Sequence, residues 1–129
     1  MNSESHKTKM HETSRRNTKQ FLQELDKHML DLKSGKAEKS FEVQDIASIL
    51  HIHPIHLSNT IKAELKQSPC DIYEVKLMNV AKELILQTNL SIADIARQLT
   101  FDPSNFSKFF KHFEGVTPNQ FRKLQQLNF

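Results

Sequence analysis

The chain has 129 residues, 37% of them hydrophobic, which is enough for one domain or two very small ones. Its two glycines and single cysteine, Cys70, argue against an all-β fold and exclude internal disulfides and glycine-rich phosphate loops. The net charge is only +3, and no apolar run approaches the ~18 residues of a membrane-spanning helix.

The amino-terminal segment, residues 1–17, is polar and basic. We expect it to be a disordered tail that can help to bind polyanions. Because it lacks the apolar stretch of a signal peptide, the expected location is the cytoplasm. The following segment predicts the first helix, since Phe21, Leu25, Met29 and Leu32 fall on one helical stripe. A polar loop around Gly35 ends it.

An internal repeat dominates the rest of the chain. Residues 43–69 align with residues 92–118 without a gap, so that Val43 falls on Ile92. Identical residues are paired at Asp45/Asp94, Ile46/Ile95, Ala47/Ala96, Leu50/Leu99, Pro54/Pro103, Ser58/Ser107, Lys62/Lys111 and Pro69/Pro118.

Each copy of the repeat predicts two short helices separated by a tight turn, the outline of a helix-turn-helix. The second copy opens with a capping signal, Ser91-x-x-Asp94. His53 and Asp102 occupy the cap positions before Pro54 and Pro103, the predicted first residues of the second helices. The predicted buried residues of these second helices are Leu57, Ile61 and Leu65 in the first copy, and Phe106, Phe110 and Phe113 in the second.

The segment between the copies, residues 71–86, is apolar on more than one side and predicts a widely buried connecting helix. A last helix is predicted to begin at Thr117-Pro118. The pattern therefore predicts an all-α fold, with one helix-turn-helix subdomain in residues 18–70 and another in residues 87–129.

The outer faces of the two second helices carry small, amide-bearing or cationic side chains and no acidic residue. The outward residues are Ile55, Ser58, Asn59 and Lys62 in the first copy, flanked by His56, and Ser104, Ser107, Lys108 and Lys111 in the second, flanked by Asn105. Such side chains suit the major groove of DNA, where Asn pairs with adenine, Lys with guanine, and an aliphatic group with the thymine methyl. Residues later in each helix, such as Lys62 and Lys111, fall near phosphate. His56, on the flank of the first of these helices, and His112 complete the predicted phosphate contacts.

Two other classes of function remain open. His51, His53 and His56 lie within six positions, as in a metal-responsive regulator, although a turn, a cap and a helix flank point apart and no Cys or acidic ligand lies nearby. A helical protein-interaction module without DNA binding is the other. An enzyme is not expected, since no nucleophile–base pair or paired carboxylates stand out.

The second copy, "LSIADIARQLTFDPSNFSKFFKHFEGVTPNQFRK", resembles the signature region of the AraC/XylS family of bacterial transcription regulators. The most telling residues are Ile95-Ala96, Phe106-Ser107-Lys108, Phe110-Lys111, Gly115-Val116-Thr117-Pro118 and Phe121-Arg122. The resemblance implies seven helices, with two helix-turn-helix units joined by a long connecting helix. It also implies insertion into successive major grooves of double-stranded DNA and regulation of transcription, most often activation through contact with RNA polymerase.

The resemblance also implies which residues contact bases: Ile55, Ser58 and Asn59 in the first unit, and Ser104, Asn105 and Lys108 in the second. No metal or other cofactor is implied. One chain carries two recognition helices, so a monomer suffices for DNA binding. Too few residues precede the first unit for a sensing domain, so the chain resembles stand-alone members of the family or an excised DNA-binding domain.

The chain departs from the family where its members usually have Gly in the turn of each unit. His51 and Thr100 occupy these positions. Because β-branched Thr tolerates a left-handed backbone poorly, we expect a slightly different turn conformation in the second unit.

Overall fold

The computed structural model describes the backbone of residues 3–127 and the side chains of residues 11–127. Within this part of the chain the structure has no β-strand, which confirms the all-α prediction. Its seven helices are α1 (Ser3–Lys33), α2 (Val43–Leu50), α3 (Pro54–Leu65), α4 (Pro69–Gln87), α5 (Ile92–Gln98), α6 (Pro103–Glu114) and α7 (Pro118–Gln126).

The first helix is longer than the sequence pattern predicts. It begins at Ser3, within the segment expected to be a disordered tail, because no Gly or Pro interrupts the chain before Gly35. The side chains of residues 1–10 lie outside the described part of the structure. The basic residues that can be placed in this segment, Arg15 and Arg16, are exposed.

The chain forms two compact units whose limits differ from the predicted subdomains. The first unit comprises residues 1–28 and 41–73, and the second comprises residues 29–40 and 74–129. Within the second unit, the side-chain amide of Gln98 donates to the backbone carbonyls of Leu32 and Lys33 at the end of α1. The connecting helix α4 begins at Pro69, earlier than the predicted residue 71, since the Ser68 hydroxyl accepts the N–H of Asp71 and caps it.

The core of the first unit combines the first two residues of the predicted α1 stripe with the inner faces of α2 and α3 and the start of α4. Its buried apolar residues are Phe21, Leu25, Ile46, Ala47, Leu57, Ile61 and Ile72. His28 is also buried, with 3% of its surface exposed, and its ring stacks on Phe41 at a centroid distance of 4.0 Å. Its Nε2 accepts the Phe41 N–H at 3.1 Å and lies 3.2 Å from the Tyr73 hydroxyl. The hydrogen bond from the Phe41 N–H to His28 fixes the segment that precedes α2 against α1.

The core of the second unit is rich in large side chains. Its buried apolar residues are Met29, Leu32, Leu77, Met78, Val80, Ala81, Leu84, Ile85, Ile95, Ala96, Leu99, Phe106 and Phe110. The ring of Phe110 lies 6.0 Å from that of Phe106 and 5.5 Å from that of Phe121, edge-on to the latter. These aromatic contacts hold α6 and α7 together.

The turn between the two helices of each unit has the same conformation in both copies, so the expectation of a different second turn was wrong. His51 has φ 57° and Thr100 has φ 68°, both left-handed. Each donates its N–H to the carbonyl three residues earlier, and the next residue donates to the carbonyl five residues earlier. Thr100 is held in this conformation by these bonds and by a hydrogen bond between its hydroxyl and that of Ser40.

We expect the substitution His51→Gly to raise the free energy of unfolding by about 1 kcal/mol, because a left-handed backbone strains every residue that has a Cβ. The His51 side chain is exposed, so its removal costs little packing. Urea unfolding measures the change. The matched control is Gly115→Ala, at φ 81° with nothing within 4 Å of the added Cβ, which should lower stability through the backbone alone. A less stable His51→Gly variant would contradict the strain argument.

Candidate nucleic-acid interface

The first recognition helix, α3, begins as predicted. Pro54 is its first residue, and His53 is its cap, whose Nδ1 accepts the N–H of Ile55 at 3.2 Å. Leu57 and Ile61 are buried, which fixes the inner face of the helix. Leu65, predicted to be buried as well, is only half-buried because it lies at the last residue of the helix.

The opposite face of α3 lies in solvent. Ile55 is 66% exposed, and His56, Asn59 and Lys62 are exposed beside it. Ser58 is half-buried, closer to the unit's core than the other predicted base contacts. The face therefore offers an aliphatic group, an amide and a cation along successive turns.

The second recognition helix, α6, begins with a stronger cap. Pro103 is its first residue, and one carboxylate oxygen of Asp102, Oδ2, accepts the N–H groups of Ser104 at 3.2 Å and Asn105 at 3.4 Å. The same oxygen accepts the Ser104 hydroxyl at 2.7 Å. The pKa of the Asp102 carboxyl lies below its ordinary value. The main cause is the hydrogen bond from the Ser104 hydroxyl, and the next is the bond from the Asn105 N–H. The cap is thus ionised at neutral pH.

The inner face of α6 buries Phe106 and Phe110 completely. The prediction that Phe113 is buried with them was wrong, since this side chain is 39% exposed. It lies in the last turn before the helix ends at Glu114, and its ring packs on the half-buried Phe109 at 4.9 Å.

The outer face of α6 presents two kinds of side chain: neutral polar groups that can donate or accept hydrogen bonds, and cations. The predicted base contacts on this face are all exposed, namely Ser104, Asn105 and Lys108. The predicted phosphate contacts Lys111 and His112 are exposed one turn further on. The carboxylates of α6 and its cap are both engaged within the protein, since Asp102 caps the helix and the half-buried Glu114 pairs with Lys82. The exposed cations of this face therefore suit a polyanion.

The histidines of the first unit do not form a ligand set. His51 lies in the turn, His53 caps α3 and His56 lies on the flank of α3, and all three are exposed. Among the described residues, no three His, Cys, Asp or Glu side chains are grouped so that they could hold a metal ion. The structure thus gives the metal-responsive alternative no support.

Sequence reasoning missed the role of Arg122, which it noted only as part of the family resemblance. The guanidinium of Arg122, on α7, donates to the backbone carbonyls of Ile85 at 3.1 Å, Leu90 at 2.7 Å and Thr88 at 3.4 Å. It thereby ties α7 to the end of α4 and to the loop that precedes α5. No periodic pattern reveals such a bond, because its acceptors are backbone atoms more than 30 residues away.

The two paired helices, their left-handed turns and their exposed outer faces define a helix-turn-helix protein. Residues 46–124 match a family model described as a helix-turn-helix domain. The chain belongs to the AraC family of helix-turn-helix proteins.

Relatives and solved structures agree with this assignment. The chain is 35% identical over 103 residues to an uncharacterised helix-turn-helix transcriptional regulator, YfiF, of Bacillus subtilis, covering 80% of this chain and 32% of that protein. It is 33% identical to the lactose operon transcription activator of Staphylococcus xylosus, covering 78% of this chain and 37% of that one. The carboxy-terminal domain of AraT, a response regulator of Geobacillus stearothermophilus, matches with a TM-score of 0.66 and 31% identity, covering 78% of this chain and 84% of that domain.

The chain spans about a third of the length of the two curated relatives named above. None of the helices described in residues 3–127 combines the length and the apolar character that a membrane span requires.

Proposed function

We propose that this chain is a sequence-specific DNA-binding regulator of transcription that inserts α3 and α6 each into a major groove of double-stranded DNA. The observation that carries the proposal is the repetition of one surface. Each of the two recognition helices has a proline as its first residue and a side-chain N-cap, and each follows a left-handed turn. Their outer faces carry amides, hydroxyls and cations. Membership of the AraC family supports the same function.

The exposed residues have separate roles in this proposal. Ile55, Ser58 and Asn59 on α3, and Ser104, Asn105 and Lys108 on α6, contact base edges, because the early turns of a recognition helix lie deepest in the groove. His56, Lys62, Lys111 and His112 contact phosphate, which adds affinity but no sequence preference. The exposed Ile55 offers an aliphatic group that fits a thymine methyl.

The chain acts in the cytoplasm as an activator, in contact with RNA polymerase, and without catalytic activity of its own. The name of the Staphylococcus xylosus relative, a transcription activator, supports the role as an activator. One chain contains two recognition helices, so a monomer suffices for binding to a bipartite site.

We expect Asn59→Ala to reduce discrimination at one base pair by about 1–3 kcal/mol, because the Asn amide pairs with two atoms of adenine in the major groove. To measure this discrimination, each base pair of a selected site is changed in turn to the other three, and the affinity for every resulting duplex is determined. The exposed position makes a folding defect unexpected. A uniform loss of affinity across all positions would show that Asn59 does not contact a base.

We expect Lys62→Ala to weaken binding to all sequences alike, because a phosphate contact releases a counterion whatever the base. The slope of log affinity against log salt should fall by about 1. The matched control is Lys27→Ala, which removes a lysine that is also exposed but lies on α1, outside both recognition helices. An unchanged slope for Lys62→Ala, or an equal change in the control, would contradict the assignment.

A further inference from the structure

The hydroxyl of Ser104, the second residue of α6, has a role in base recognition that rests on the proposed function. Ser104 is exposed on the outer face of the helix. A serine hydroxyl has a single proton to donate, and two lone pairs that accept. Which of these it can offer to a base depends on whether the proton is already committed within the protein.

The structure commits this proton. The Ser104 Oγ lies 2.7 Å from Asp102 Oδ2, and a carboxylate can only accept a hydrogen bond, so Ser104 is the donor. The same Oδ2 is held in place by the backbone N–H groups of Ser104 and Asn105. The hydroxyl therefore cannot turn its proton outward without giving up a charge-assisted hydrogen bond.

Only acceptor lone pairs then remain on the outward side of Ser104. In the major groove the groups that donate are the amino groups of adenine and cytosine, whereas guanine and thymine present carbonyl oxygens at the corresponding positions. We propose that Asp102 orients the Ser104 hydroxyl as a hydrogen-bond acceptor, and that this pair sets a preference for adenine or cytosine over guanine or thymine on the contacted strand, at one base pair that α6 reads.

The first unit provides a comparison within the same chain. In the repeat, His53 and Ile55 occupy the positions of Asp102 and Ser104. The His53 cap accepts only a backbone N–H, and Ile55 has no hydroxyl to orient. The two recognition helices therefore begin with different chemistry, an aliphatic group on α3 and an oriented acceptor on α6, so the two halves of the DNA site should differ in sequence.

The test begins with a duplex selected by the purified full chain from randomised DNA, in which each base pair is then changed to the other three. We expect one position to favour adenine or cytosine over guanine and thymine by about fivefold to tenfold. Ser104→Ala should reduce this ratio to within about twofold, while the preferences set by α3 stay unchanged. Circular dichroism and thermal melting verify the fold of each variant.

Two substitutions at Asp102 separate its orienting role from its capping role. Asp102→Asn keeps a carbonyl oxygen facing the two N–H groups and the hydroxyl, so the base preference should persist. Asp102→Ala frees the hydroxyl to donate, so binding to guanine or thymine at that position should improve relative to adenine and cytosine. If Asp102→Ala does not fold, Ser104→Ala on the exposed surface still decides whether the hydroxyl acts as an acceptor, because a donor would favour guanine or thymine.

Three results would overturn the inference. In the first, Ser104→Ala leaves every base preference intact, although the wild-type chain binds DNA selectively. In the second, the preference lost in Ser104→Ala is for guanine or thymine, which makes Ser104 a donor. In the third, a folded Asp102→Ala variant keeps the full adenine or cytosine preference, which removes Asp102 from the mechanism. Absence of any selective binding by the wild-type chain is a different result, which contradicts the proposed function itself.

Discussion

Replacement of Phe110 by Ala is expected to lower the free energy of unfolding by about 3–5 kcal/mol. The ring has no exposed surface and contacts both Phe106 and Phe121, so the substitution leaves a cavity between α6 and α7. Because Phe110 fixes the inner face of α6, loss of this packing should also abolish selective binding by the second unit. Urea unfolding gives the stability change, and binding to a selected duplex gives the functional one.

The matched control for Phe110 is Phe113→Ala on the same helix. Phe113 is 39% exposed and packs on the half-buried Phe109, so its loss should cost less than about 1.5 kcal/mol. Equal losses for the two variants would show that α6 is not oriented as the structure describes it, and the assignment of its outer face would then fail too.

Replacement of His28 by Ala is expected to cost about 3 kcal/mol, because it removes a buried ring and leaves the Phe41 N–H without its acceptor. The stacked contact between His28 and Phe41 is lost at the same time. The chain entering α2 should then become mobile, which amide hydrogen exchange at Phe41 would report directly.

Tyr73→Phe is the control for His28→Ala, because it changes the other hydrogen-bonding partner near the same imidazole nitrogen. It removes only the hydroxyl that lies 3.2 Å from His28 Nε2 and keeps the ring, so we expect a loss of about 1 kcal/mol. A loss as large as that of His28→Ala would mean that the Tyr73 hydroxyl, and not the Phe41 N–H, makes the main bond to this imidazole.

The periodic and capping patterns of the sequence predicted most of the local structure. The stripe of α1 is buried as predicted, and the caps at His53, Ser91, Asp102 and Thr117 all accept backbone N–H groups. These features depend on residues within one or two helical turns of each other, so the sequence shows them directly. His28 could have been found in the same way, since it follows Leu25 by three positions on the stripe.

The features that sequence reasoning did not predict depend on contacts between distant residues. The side-chain amide of Gln98 donates to a backbone carbonyl at the end of α1, and residues 29–40 belong to the second unit and not to the first. Thr100 has a left-handed backbone, which a β-branched side chain disfavours. The surrounding hydrogen bonds hold the residue in this conformation. The orientation of the Ser104 hydroxyl depends on the position of one carboxylate oxygen, and a sequence does not specify positions to that accuracy.

The most direct test of the central claim is selection of DNA by the purified full chain from a randomised pool, with affinity for the selected duplex then measured across a range of salt concentrations. We predict enrichment of a bipartite site, with one half altered by Asn59→Ala and the other by Ser104→Ala, and an affinity that falls steeply as salt rises. Failure to enrich any sequence, together with binding that is absent or independent of salt, would contradict the claim that α3 and α6 are DNA recognition helices.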